Sequence, residues 1–202
     1  MEFRLTYEGK LLSSGNKNPN TKHKHAIRQK LHPQLKRLWE ITPCLRNMTF
    51  PPSRNFAFSE IAQCTMIEHL ASTQPLQKYR FVPLITKELS LWCGIDVLFL
   101  RPGRAGEIIK SGDIDNRLKT LFDALRRPRQ PQELRQCPDP SEGEDPFFCL
   151  LEDDSLVARV TVEADTMLEP IVGAVLRRSD ARLVIKVTLR PTNFTAENAG
   201  FV

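Results

Sequence analysis

The chain has 202 residues, 41% apolar and 26% charged, which argues for one ordinary globular domain with a real core and against a disordered chain. Lys and Arg outnumber Asp and Glu by 29 to 24, giving +5 and a sequence pI near 9.1, a balance that leans toward a polyanionic partner. No apolar run reaches the roughly 18 residues of a membrane span, the start lacks the apolar stretch of a secretory signal, and five cysteines without a C-x-x-C pair suit free thiols in a reducing cytoplasm.

Phe3, Leu5 and Tyr7 alternate with Arg4 and Thr6, predicting a short N-terminal strand. Between Glu8 and Glu40 there is no acid, while Lys10, Lys17, Lys22, Lys24, Arg28, Lys30, Lys36 and Arg37 all fall there. Gly15 to Thr21 reads as a loop by its Gly, Asn and Pro content. Ala26, Ile27, Leu31, Leu35, Leu38 and Trp39 then recur at helical spacing, so 22–40 is a basic helical region that Pro33 either kinks or splits. A solvated face would account for many of these cations. The missing acids favour an arm on phosphates, with Lys17, Lys22, Lys24, Arg28 and Lys30 as DNA-binding residues.

Pro43 to Ser53 is expected to be irregular, and Ile61, Cys64, Ile67, His69 and Leu70 predict a shorter helix over 60–72, with His69 partly buried. Leu91, Cys93, Ile95, Val97 and Phe99 predict a central strand covered on both sides, with Cys93 a buried thiol. Residues 112–125 read as an amphipathic helix. Ile114, Leu118, Leu121, Phe122 and Leu125 share its apolar face, and Asp115, Lys119 and Asp123 run along one edge. The stretch 127–147 is Pro-rich, basic and then acidic, and is expected to be a mobile insertion able to dock a further protein partner. Two later strands, around Leu156–Ala164 and Leu183–Leu189, alternate with one core face and one polar face. The pattern predicts an α+β fold, a sheet packed by helices, in a single domain over 1–202.

Two acid clusters stand out in this basic chain: Asp113, Asp115 and Asp123 on the helix, and Glu152, Asp153 and Asp154 just before a strand. Singly, each has a structural explanation as an N-cap, a first-turn acid, an i,i+4 partner of Lys119 or a solvated loop. Together, at the ends of core elements, they also suit a hard divalent cation that takes carboxylate oxygens and acts on a phosphodiester. On the residues alone the two readings stand level.

The pairing of GDIDNRLKTLFDAL with a downstream LEDDSLV closely resembles the RusA family of Holliday junction resolvases. The elements that match are Asp113, Asp115, Asn116, Lys119, Asp123-Ala124-Leu125, Asp153-Asp154 and Val157, in two separated motifs in the family's order. The resemblance implies a RusA-like mixed β-sheet and a homodimer. It implies Mg²⁺-dependent endodeoxyribonuclease activity, with Mn²⁺ as a substitute, on branched DNA, resolving four-way junctions by paired nicks. It makes Asp113, Asp115 and Asp154 the metal-binding carboxylates and Lys119 the essential basic residue near the scissile phosphate, with Asn116, Asp123 and Asp153 in support. The chain departs from the family in its long 126–146 join and its basic 23–40 region. The alternatives are a same-fold nuclease on another DNA structure and a non-catalytic DNA-binding subunit of a larger assembly.

Overall fold

A computed structural model of the chain describes residues 1–13, 20–50, 64–103, 113–171, 177–195 and 198–201. β1 (Glu2–Lys10) leads to the long helix α1 (Thr21–Ile41), one further helical turn α2 (Pro43–Arg46) and the two-residue strands β2 (Thr49–Phe50) and β3 (Cys64–Thr65). Next come α3 (Met66–Thr73), β4 (Pro75–Leu76), β5 (Tyr79–Ile85) and β6 (Leu91–Arg101). The second half holds α4 (Asp113–Leu125), β7 (Phe147–Leu151), β8 (Val157–Thr166) and β9 (Asp180–Pro191). The fold is α+β.

The main sheet is mixed, in the order β1-β9-β6-β8. β9 runs antiparallel to both β1 and β6, and β8 runs parallel to β6 with Ile95 beside Val160 and Val97 beside Val162. Its inner face carries Leu5, Tyr7, Cys93, Ile95, Val97, Phe99, Leu183, Ile185 and Val187, all buried. α1 supplies Ile27, Leu31, Leu35 and Trp39 to the same core. Pro33 leaves α1 in one piece. It sits on the exposed side, where water can bond the Gln29 carbonyl that a proline cannot reach.

Two strands escape the alternation rule. β5 and β7 pair in parallel, Phe81 beside Phe147 and Ile85 beside Leu151, and are buried on both faces. Such strands are continuously apolar and show no period of two. β6, by contrast, is covered on one face only: Trp92, Asp96 and Leu98 are half-exposed on the other, and Arg190 lies over the Trp92 ring. Of the helix predicted over 60–72, residues 60–63 lie outside the described residues, Cys64 and Thr65 form β3 instead, and the helix begins at Met66. Thr65 caps it, its hydroxyl accepting from the Glu68 amide while Glu68 accepts from the Thr65 amide, a capping box written in the sequence as T-x-x-E.

The stretch 127–147 differs most from expectation. It is packed structure rather than a mobile insertion. Its 3₁₀ turn (Pro131–Leu134) buries Leu134 with Tyr79, Phe81, Phe147 and Cys149 in a second, smaller apolar cluster. α1 and β5 then tether it along its length. His32 bonds the Gly143 carbonyl at 3.0 Å and accepts from the Phe148 amide at 2.9 Å. Gln29 donates to Glu144, the Tyr79 hydroxyl donates to the Pro138 carbonyl, and Arg80 holds Asp145 with two bonds of 2.8 Å. Five prolines restrict a segment whose partners lie on α1 and β5, far away in the chain.

Candidate functional site

α4 carries most of the motif, and its two ends behave differently. Leu121, Ala124 and Leu125 are buried against the core beside α1, which fixes the helix. Asp115, Asn116 and Lys119 lie on the opposite, exposed side within an arc of about 100°. Among the described residues neither Asp115 nor Lys119 has a hydrogen-bond or ion-pair partner, so the i,i+4 pair between them is not made. The side chain of Asp113, like Lys17, lies outside the described residues.

The C-terminal end of α4 is heavily engaged. The last carbonyls of any helix lack intrahelical donors. Here the Arg28 guanidinium from α1, 2% exposed, donates to the Asp123 carbonyl at 2.5 Å and the Arg126 carbonyl at 3.1 Å. A cation at this end also complements the helix dipole. Burial pushes Arg28 down to about 10, with Glu133 opposing that shift, so it stays charged at neutral pH. The Asp123 carboxylate takes Lys24 at 2.7 Å and Arg126 at 3.1 Å. Burial alone would raise its pKa, but these two cations hold it below the usual carboxylate value.

The second acid segment arrives at this same end. Arg126 bridges beside Leu151, and the Arg127 amide donates to the Leu151 carbonyl at 2.8 Å. Asp153 caps the short 3₁₀ turn Asp154–Leu156 by accepting from the Ser155 amide. Arg129 pairs with Asp153 at 2.7 Å and also with Asp154. Burial pushes Asp153 up, but the Ser155 bonds and Arg129 outweigh it and bring it down to about 2. Arg126 reaches Glu133 at 3.0 Å and lies 3.9 Å from Asp154. Asp123, Glu133, Asp153 and Asp154 are thus interleaved with Lys24, Arg28, Arg126 and Arg129, four carboxylates against four cations.

The structure therefore brings Asp123, Asp153 and Asp154 together, through arginines, and leaves Asp115, Asn116 and Lys119 apart from them. From Asp115 to Arg126, where Asp154 docks, the helix axis advances about 16 Å. A Mg²⁺ ion needs its carboxylate oxygens at 2.0–2.1 Å. Among the described residues no group of three His, Cys, Asp or Glu side chains is placed to hold a metal ion. In this arrangement guanidinium groups occupy the acids of the second segment, and the described residues do not fit a preformed divalent site.

The basic arm also needs correcting. Lys24 is spent on Asp123, Arg28 is buried under α4, and Lys30 donates to the Glu8 carbonyl and lies over the Tyr7 ring. Of the α1 cations expected on DNA, Lys22 alone is both exposed and without a hydrogen-bond or ion-pair partner among the described residues. The sequence reading missed Arg126 and Arg129, whose one local signal was their place in a cation-rich run just after the motif helix. Comparison of the chain with protein-family models, curated proteins and solved structures finds no match. No helix among the described residues is long and apolar enough to cross a membrane.

Proposed function

We propose that the chain is a Mg²⁺-dependent endodeoxyribonuclease of the junction-resolving kind, working on branched DNA as a homodimer. The observation that supports this is the contrast along α4. Its C-terminal acid is tied into an ion-pair network, as a structural acid is. Asp115, Asn116 and Lys119 instead share one exposed face, with an acid and a base that have no partner among the described residues. Unpaired charge held on a rigid, core-anchored helix suits chemistry on a charged ligand rather than stability. In this reading Lys119 stabilises charge on a phosphate oxygen, and Asp113 and Asp115 are the first-turn carboxylates.

The engagement of Asp153 and Asp154 by Arg129 favours a second reading, a non-catalytic DNA-binding subunit, since acids neutralised this way no longer repel phosphates. One experiment separates the two. Purified protein is incubated with labelled four-way, flap and linear duplex DNA, each with Mg²⁺ or EDTA. Metal-dependent nicking that favours the four-way substrate supports the nuclease. Gel-shifted but intact DNA under all conditions supports the binding subunit.

A further inference from the structure

The two edges of the main sheet are treated differently. On β1, the outer edge is closed by α1: the Gln34 side chain accepts from the Thr6 amide at 2.9 Å and donates to the Thr6 carbonyl at 2.7 Å, while Lys30 takes the Glu8 carbonyl. β8, the opposite edge, pairs with β6 in unbroken register from Arg159 to Thr166, beyond a bulge at Ala158, and with no other strand among the described residues. Past that bulge, the strand presents one row of backbone donors and acceptors that no described strand takes up. A long open edge is a template for pairing with another chain, and proteins normally block it with proline, bulges, short length or a covering element.

The side chains of β8 say what that chain is. On the core side, Val160 is 47% exposed although it lies beside the buried Ile95 of β6. This apolar face runs past the edge of the helices that cover the rest of the sheet. On the other face stand Arg159, Thr161, Glu163 and Asp165. Arg159 is held by Asp96 at 2.8 Å, whereas Glu163 has no partner among the described residues.

We propose that β8 pairs antiparallel with β8 of a second copy, about a two-fold axis at Thr161, joining two four-stranded sheets into one. Two-fold pairing of a strand with itself places residue i opposite a residue of the same parity, so side chains keep to their own faces. With the axis at Thr161, in the regular stretch beyond the bulge, Arg159 faces Glu163 twice, Val160 faces Val162 twice and Thr161 faces its own copy. Opposite charges, β-branched pairs and threonine pairs are the cross-strand combinations that stabilise a sheet. An axis one pair away, at Val162, would match Arg159 with Asp165 but leave Glu163 opposite Thr161 and set Val160 against alanine. An axis at Val160 would leave both Arg159 and Glu163 unmatched.

The inference deepens the homodimer named above but uses neither DNA nor metal in its test. Failure of this interface therefore leaves the cleavage experiment untouched, and failure of cleavage leaves the interface standing. Sedimentation velocity of the full chain across a dilution series reads the association directly. Wild type is expected to reach a species of twice 23.1 kDa. Glu163→Arg sets arginine against arginine twice and Arg159→Glu sets glutamate against glutamate twice, each weakening self-association by about tenfold. Mixing the two variants restores the dimer, because the two arginines of one chain then meet the two glutamates of the other. Circular-dichroism melts of each variant check that it remains folded. A wild-type protein that stays at 23.1 kDa, single variants that associate as wild type does, or a mixture of folded variants that fails to recover the dimer would each overturn the proposal.

Discussion

Replacing Arg28 with methionine tests whether the basic residues of α1 serve DNA or the fold. The substitution keeps much of the side-chain length but removes a guanidinium that donates to the Asp123 and Arg126 carbonyls and lies 4.0 Å from Glu133. Removing one partner of a buried charged network costs about 3–5 kcal/mol, because the groups left behind are still desolvated. For a chain of this length each kcal/mol moves Tm by roughly 2–4 °C, so the melting temperature should fall by roughly 6–20 °C. Thermal and guanidinium unfolding followed by circular dichroism measure it. Arg28→Lys should give an intermediate loss, since an ammonium keeps the charge but not the planar fork that reaches two carbonyls at once. Lys22→Ala, at an exposed site, should leave Tm unchanged. If Arg28→Met melts within about 2 °C of wild type, well inside the shift expected from this loss, while DNA affinity collapses, Arg28 is a phosphate contact after all and the capping argument is wrong.

Asp115→Asn should lower cleavage of four-way DNA by roughly a hundredfold or more while binding persists or tightens, as the side-chain shape stays and only the anion is lost. Near wild-type cleavage would dissociate Asp115 from the chemistry. Deleting Pro128–Pro146 behind a short Gly-Ser join should destabilise the fold on the order of 3 kcal/mol, through loss of buried Leu134 and of the Glu133 and Arg129 ion pairs, and an unchanged denaturation midpoint would show that the segment only rests on the surface. Burial lowers His25 to about 4, with Arg28 adding to the effect. Its unfolded form therefore takes up a proton first, near pH 6.5, and stability holds above that pH and falls on acidification toward pH 4 by roughly 3 kcal/mol. Plotting Tm against pH for wild type and His25→Gln checks it, and parallel curves would exclude His25 as the source. Asp153 acts in a separate window, losing its contribution only below the ordinary carboxylate value as pH falls toward 2. Lys22→Ala should reduce the salt slope of DNA binding by about 0.9, the share of one phosphate contact, whereas Lys30→Ala should leave it unchanged.

Whatever depends on a local period was legible without the structure. β1, α1, β6, α4, β8 and β9 each show in the spacing of their apolar residues, since a helix or a half-buried strand must place such residues on one side. The same period set Asp115, Lys119 and Asp123 along one edge of α4, and only the fold separates Asp123 from the other two by pairing it with Lys24 and Arg126. β5 and β7 were hidden because burial on both faces erases the alternation. Partnership was hidden for a different reason. Lys24 and Arg28 look like any basic helix face until folding brings Asp123 and the α4 carbonyls within reach, from 95 to 99 residues away. Arg129 reads as a loop cation until it lies between Asp153 and Asp154. In β8, alternation reports that one side is apolar but not whether anything covers it; α1 stops short of Val160, and only the tertiary arrangement decides that this valine is left for another surface.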